Sequence, residues 1–331
     1  MIPLKVGAWR YDHTRALFDG TAKIAGTDAT FESGHIVSEI FENMVRHRAY
    51  DAAELGLTFY LRTLDLPDPP FIAIPVFPNR HFRHSAIFVN TSSGIRTPQD
   101  LAGKTIGEFA TYGHDAGIWP KGILSDDYGV KPEQSRWIVG GTNHPMAPFD
   151  FIPFRYPSEV DVQPAPEGRT LDAMLVAGEI DALITALVPQ SVLNGSSDVA
   201  PLFPDVEAVE REYYARTGIY PIMHTVVIRR DLLAEHPELA RAVYQGFCDA
   251  KDSALADYRR GRMEQQMDVM VPWFDKLFEK NHAAFPENWW DHGLAANREN
   301  IDTFLRYSFE QGLSKTRLTC EDIFVPDLLD T

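Results

Sequence analysis

The sequence predicts an α/β protein of two lobes, each a mostly parallel sheet flanked by helices. Three observations lead there. Short apolar runs alternate with segments of helical spacing, the pattern that builds parallel strands joined by crossover helices. The chain has 331 residues, about two domains at roughly 150 residues each. The stretch from Ile95 to Gly141 reads as one complete unit: a turn ending at Gly103, a strand over 104–108, a polar loop, a helix over 116–127 and a strand over 136–139. Free backbone N–H groups and the helix dipole in such a loop suit an anion.

Along the chain, Leu4 to Ala8 reads as the first strand, followed by the loop Trp9 to Arg15 and a helical turn to Phe18. Ile40, Phe41, Met44 and Val45 recur at helical spacing, so Ser38 to Arg48 is an amphipathic helix. Ala52 to Leu57, Ile72 to Phe77 and Ala86 to Val89 are apolar runs and read as strands. The second lobe continues with a helix over 170–177 and a strand over 181–184. Between them and Gly141, Pro145 to Pro166 holds six prolines and reads as a long loop. His224 to Arg229 is a strand, Asp231 caps a short turn, and Pro237 opens a helix to about Arg260. Val269 to Lys280 and Pro286 to Tyr307 read as helices. The expected lobes are residues 1–92 plus 222–331, and 93–205, with 206–221 as the return crossover.

The formal net charge of −16 argues against nucleic acid or an anionic membrane as partner. No apolar run approaches the roughly 20 residues that span a bilayer. The two cysteines, Cys248 and Cys320, form no disulfide framework. The N-terminus lacks the charged start, apolar stretch and cleavage site of a signal peptide, so a cytoplasmic protein is expected. There is no Gly-x-Gly-x-x-Gly, P-loop, His-Glu-x-x-His or Gly-x-Ser-x-Gly.

Ligands of open parallel sheets sit beyond the carboxyl ends of the strands. That rule selects Arg10, Asp12 and Arg15, then Thr58, then Arg80 to His84, then Tyr112 to Asp115 with His114 among them, then Thr142 with Asn143, then Thr185. Arg10, Arg15, Arg80 and Arg83 could hold carboxylates through paired hydrogen bonds, or serve as ordinary surface ion pairs. Asp12 is either a helix cap or a ligand-facing carboxylate. Glu54, in an apolar strand, should pair with an arginine, with proton transfer as the sharper reading. His84 precedes a strand and suits hydrogen bonding to a carboxylate or phenol. His224 is either a core histidine or a proton donor of near-neutral acidity. Tyr112, Trp119 and Phe59 could sandwich a ring, or pack in the core. No metal ligand set is evident, since His81 and His84 lack convergent partners.

Four segments carry a closer resemblance: Tyr11-Asp-His-Thr-Arg-Ala-Leu-Phe-Asp-Gly20, Phe77-Pro-Asn-Arg-His-Phe-Arg-His-Ser85, Trp119-Pro-Lys-Gly-Ile-Leu124 with Tyr128-Gly-Val130, and Gly218-Ile-Tyr-Pro-Ile-Met-His224. With them the chain resembles the 4,5-dihydroxyphthalate decarboxylase family over most of residues 4–260. Ile95 to Gly107 is similar to the second domain of the wider type II periplasmic-binding-protein fold. The resemblance implies two lobes with a ligand cleft between them. It implies removal of one carboxylate from 4,5-dihydroxyphthalate, giving protocatechuate, without an organic cofactor. Loop placement, not the resemblance, assigns Arg15, Arg80 and Arg83 to carboxylate binding, His224 to the acid with Asp12 or Glu54 as alternatives, and His84 to the phenol. Residues 108–117 and Lys121 depart from the expected pattern, with arginine expected at 121.

The alternative from another class is a solute-binding protein for a small aromatic or organic acid. A cofactor-biosynthesis enzyme on the same fold is a third reading that no residue favours. A divalent metal held by His84, His224 and a carboxylate stays open. The partner is a small aromatic carboxylate, and the long C-terminal helices could support a homo-oligomer.

Overall fold

A computed structural model describes residues 1–152, 154–266 and 269–331. The strands in chain order are β1 (Ile2–Gly7), β2 (Thr27–Glu32), β3 (Ala52–Gly56), β4 (Phe71–Ile74), β5 (Ile87–Asn90), β6 (Thr105–Phe109), β7 (Arg136–Gly140), β8 (Asp161–Pro164), β9 (Ala182–Ile184), β10 (Val199–Pro201) and β11 (His224–Arg229). They form two sheets, ordered β2-β1-β3-β11-β4 and β10-β5-β9-β6-β7-β8. In the first sheet β11 alone runs against its neighbours, and in the second β5 does.

The chain divides into two compact units: residues 1–79, 224–299 and 320–331, and residues 80–223 with 300–319. The expected boundary near 92 therefore falls at 79/80. The reason is pairing: Ile87, Phe88 and Val89 lie opposite Ile184, Leu183 and Ala182 of β9. Asn300 to Thr319 also belongs to the second unit, where the sequence had placed it in the first.

In the first unit, Leu4 and Val6 of β1, Ala52 of β3, Ile74 of β4 and Val226 of β11 share a core with Leu239, Val243 and Phe247. The last three lie on the helix Leu239–Glu264. β3 is central and every residue in it is buried. That is what a strand covered on both faces requires, and it forces Glu54 inside.

In the second unit, Phe88, Ile138, Leu171, Met174, Leu175 and Leu183 form one core cluster. Elsewhere in this unit the helix Asp115–Tyr128 packs on the helix Arg298–Glu310 through Trp119, Phe304 and Tyr307. Gly122 lets these helices approach: a Cβ there would stand 2.2 Å from Cδ2 of Tyr307.

Most expected elements occur within a few residues of their predicted ends. β2, β8 and β10 were not read, because they are short or half exposed and lack an apolar run. β8 lies inside the proline-rich stretch read as a loop; Pro153 of that stretch lies outside the described residues. The segment expected to be a crossover contains the helix Val206–Thr217. Only Tyr213 is buried there, so apolar periodicity is too sparse to show it. Its capping by Asp205 and its stop at Gly218 were nonetheless present in the sequence. The helix predicted from Val269 begins at Phe274. Residues 286–297 are turns, and helix resumes only at Arg298–Glu310.

Gly122→Ala tests the close packing. Alanine favours a helix interior over glycine by about 1 kcal/mol, but the Tyr307 ring is held by its hydroxyl on Asp126 at 2.7 Å and by Trp119. Overpacking should win, with a net loss of about 1–3 kcal/mol, seen as a lower urea midpoint at unchanged slope.

Candidate active site

The first loop of unit one is shaped by Thr14. Its hydroxyl donates to Trp9 O at 2.8 Å and accepts from Tyr11 N at 2.9 Å. The turn turns two donors, Trp9 N and the Tyr11 hydroxyl, toward β3. Alternation along β3 places Ala52, Glu54 and Gly56 on one face. β11 pairs antiparallel with Val226 opposite Glu54 and His224 opposite Gly56. His224 and Glu54 are therefore diagonal neighbours on the same face, within reach of long side chains.

The outcome is a buried carboxylate with three donors. Glu54 Oε1 lies 2.6 Å from His224 Nδ1 and accepts from the Tyr11 hydroxyl at 2.8 Å. Glu54 Oε2 accepts from Trp9 N at 2.8 Å. Glu54 is 0% exposed, where a carboxylate without partners would be very costly. The expected arginine partner is absent: His224, Tyr11 and the loop backbone take its place. Burial and the neighbouring Glu54 push the Tyr11 phenol well above its ordinary range, so it stays protonated and donates. Asn79 Nδ2 in turn donates to the Tyr11 oxygen at 3.1 Å.

With Nδ1 on a carboxylate, the tautomer of His224 is set and Nε2 is the ring nitrogen left for another partner. Phe41 meets the ring edge-on at 5.0 Å, fixing its plane. His13 stacks on Tyr11 at 5.0 Å and meets Trp290 at 4.9 Å. Trp290 Nε1 donates to Phe77 O at 3.1 Å, and Phe77 N donates to His292 Nδ1 at 3.1 Å. The turns over 286–297 thus brace the strand end that carries Asn79. Tyr11, Asn79, His13 and Trp290 were not proposed from sequence as site residues. Tyr11 and His13 sit within the Tyr11–Gly20 segment, and that was the available signal.

The remaining candidates fall elsewhere. The Asp12 carboxylate accepts from His13 N at 2.7 Å and pairs with the Tyr258 hydroxyl. Asp12 and Arg15 line a surface pocket with Ser253, Asp257 and Tyr258 rather than the Glu54 cluster. Arg10 is exposed, its guanidinium 5.8 Å from the Phe18 ring. Thr58 is buried in the helix Leu57–Leu64.

In unit two, Trp119 is fully buried: its Nε1 donates to Ile222 O at 2.8 Å and its ring packs on Phe304 and Tyr307. It is core, not a ligand sandwich. Tyr112 is also 0% exposed, its ring centroid 3.7 Å from the Lys121 ammonium. Lys121 makes a buried ion pair with Glu108, reaching its two oxygens at 2.8 and 2.6 Å. Glu108 also accepts from Gly113 N at 3.1 Å. The departure noted at Lys121 is thereby explained as one half of a buried pair that shapes the 110–114 loop.

His114 caps the helix Asp115–Tyr128, its Nδ1 accepting from Ala116 N at 3.2 Å. Thr142 bonds Thr185 at 2.7 Å. His84 meets Phe203 and Tyr213 edge-on, and burial lowers its pKa to about 4. Arg80 and Arg83 are both buried. Among the described residues no group of three or more His, Cys, Asp or Glu could hold a metal ion.

The two sheets and their flanking helices define a periplasmic-binding-protein-like α/β protein, with a carboxylate-backed histidine in unit one. The fold is that of a sulfonate-binding protein from Methylobacillus flagellatus, described as putative, at TM-score 0.57 and 12% identity, covering 100% of this chain and 93% of that one. It is also that of the alkanesulfonate-binding protein SsuA from Xanthomonas axonopodis pv. citri, at TM-score 0.55 and 14% identity, covering 98% of each chain. The chain belongs to the 4,5-dihydroxyphthalate decarboxylase family. It is 34% identical over 330 residues to the 4,5-dihydroxyphthalate decarboxylase of Comamonas testosteroni, spanning 100% of this chain and 98% of that protein. It is 35% identical over 211 residues to that of Pseudomonas putida, 64% of this chain and 81% of that protein. No family model matches. The resemblance read from the four segments and the two-lobe α/β fold class are both borne out.

Two stability measurements probe unit two. Lys121→Met leaves Glu108 buried without its partner, and should cost about 3–5 kcal/mol in chemical denaturation. The double variant Lys121→Met with Glu108→Leu should be less destabilised than the single one. His84 supplies a pH test. Its folded pKa of about 4 lies below the ordinary 6.5, so between those values the unfolded chain binds more protons. Stability from this group is present above about pH 6.5 and is lost as pH falls toward 4. His84→Phe should flatten the urea midpoint across that window, relative to the wild type.

Proposed function

We propose that this chain decarboxylates 4,5-dihydroxyphthalate to protocatechuate and carbon dioxide, with His224 as proton donor and Glu54 as its positioning carboxylate. The observation that carries the reading is the 2.6 Å contact of His224 Nδ1 with the buried Glu54, in a chain whose whole length matches a named decarboxylase.

Each carboxyl of this substrate has a hydroxyl para to it. The para hydroxyl gives its proton to solvent, from which the product phenolate regains one, and its oxygen pushes electrons into the ring. The ring carbon bearing the departing carboxylate takes a proton from His224 Nε2, leaving a dienone. The carbon–carboxylate bond then breaks, its electron pair restores the aromatic ring and the para oxygen, and carbon dioxide leaves. One proton is consumed per turnover, and His224 regains it from water. Glu54 accepts at Nδ1 throughout, which keeps Nε2 aimed outward and balances the imidazolium charge. Tyr11 and Asn79 hold Glu54 in place. Asp12, bonded to Tyr258, is not given a proton-transfer role.

No helix among the described residues is long and apolar enough to cross a membrane. We place the chain in the cytoplasm, a reading supported by two free cysteines and by a substrate of aromatic catabolism.

The test is carbon dioxide release and ring absorbance with 4,5-dihydroxyphthalate. His224→Gln should lower kcat by about 10²–10⁴. Glu54→Gln should lower kcat while leaving KM nearly unchanged, because it acts through His224. Binding of 4,5-dihydroxyphthalate by the wild type without any turnover would overturn the enzyme reading in favour of a receptor.

A further inference from the structure

The three donors on Glu54 are unevenly shared. Among the described residues Trp9 N alone serves Oε2, whereas the Tyr11 hydroxyl and His224 Nδ1 both meet Oε1, at 2.8 and 2.6 Å. A carboxylate oxygen offers about two lone pairs, so those of Oε1 are both taken. A donor needed only to satisfy the buried carboxylate would serve Oε2 as well, where a lone pair is left. On Oε1 the phenol instead draws on the same charge that faces the imidazole.

The phenol is fixed in that place. Tyr11 N donates to the Thr14 hydroxyl at 2.9 Å. The His13 ring stacks on the Tyr11 ring, 5.0 Å between centroids and 13° between planes. Burial and the Glu54 charge keep the phenol protonated. Its proton lies toward Glu54, so its oxygen is free to accept, and Asn79 Nδ2 donates to it at 3.1 Å. Donation into a hydroxyl makes that hydroxyl a stronger donor. Asn79, Tyr11 and Glu54 thus form a line of hydrogen bonds that ends on His224 Nδ1, and every member lies in unit one. The other group against the imidazole is the apolar Phe41 ring. Among the described residues, the titratable side chains bonded within the Glu54–His224 pair are those two and Tyr11.

We propose that Tyr11 is a positioning residue that tunes proton donation by His224: by sharing Oε1 it limits how firmly Glu54 holds the protonated ring, which favours release of the proton from Nε2. The assignment rests on the decarboxylase reading for the use made of that proton, but its first test needs no substrate. Without the phenol the whole charge of Oε1 would face Nδ1. The ring would hold its proton more tightly, and a weaker acid delivers a proton more slowly.

The readout is the proton that His224 Nδ1 donates to Glu54. Its resonance in the proton magnetic-resonance spectrum of the substrate-free protein is identified by its loss in His224→Gln. In Tyr11→Phe, Oε1 keeps a single donor, and the resonance should move downfield as the remaining charge-assisted bond strengthens. The kcat for 4,5-dihydroxyphthalate should fall about tenfold, the low end of what a hydrogen bond to a charged group supplies, with KM within about threefold of wild type. Asn79→Ala should move resonance and kcat in the same directions by less, because it acts through Tyr11; it carries the test if the Tyr11 variant does not fold. A donor that only satisfied the carboxylate would cost stability and leave the resonance and kcat in place, and that result would overturn the assignment. So would a fall in kcat with the resonance unmoved or displaced upfield. If the wild type shows no turnover the decarboxylase reading fails, and the displacement by itself still upholds or overturns the sharing of Oε1.

Discussion

The interaction on which unit one depends is the burial of Glu54 in the central strand. A carboxylate there is tolerated only with donors on both oxygens. Trp9 N, the Tyr11 hydroxyl and His224 Nδ1 supply them at 2.6–2.8 Å. Three chain segments distant in sequence are thus tied to one side chain: the loop after β1, the central strand β3 and the antiparallel strand β11. The same arrangement that satisfies the carboxylate also sets the histidine tautomer. One carboxylate thus fixes the position of the histidine as well as the course of the loop after β1.

Unit two handles buried charge in two different ways. Glu108 and Lys121 neutralise each other, and Tyr112 and Trp137 cover the ammonium with their ring faces, 3.7 and 5.0 Å away. That pair is self-sufficient, and it makes the 110–114 loop part of the core. Arg83 is the contrast: also buried, its Nε donates to the thioether of Met223. The difference separates two basic side chains that look alike in composition.

Much of the fold was legible. Apolar runs such as Ile87-to-Val89 and Val226-to-Ile228 fall in strands because a sheet covered by helices demands continuous apolar residues. The Ser38–Arg48 periodicity is the helix Val37–His47. What escaped had a physical cause. The helix Val206–Thr217 buries only Tyr213, so polar residues dominate its pattern. The stretch after Pro286 has helix-compatible residues, yet Asn288, Trp290, His292 and Gly293 each bond outside it, to Lys251, Phe77 and Pro75. Tertiary partners overrode local preference.

The sequence by itself determined the α/β class, the order of most elements, the family, and the candidacy of Glu54, His224 and Arg83. Periodicity, turn residues and four short segments are local signals, and they survive without knowing what packs where. Only the tertiary structure decided partners. It put His224 diagonal to Glu54 through the β3–β11 register, added Tyr11 and Asn79, turned Asp12 toward Tyr258, and buried Trp119 and Tyr112 in the core. Those outcomes depend on contacts between residues up to 246 positions apart. Side-chain type alone cannot distinguish a charge that is buried and paired from one that is exposed, because the cost of each state is set by the partners that folding brings to it.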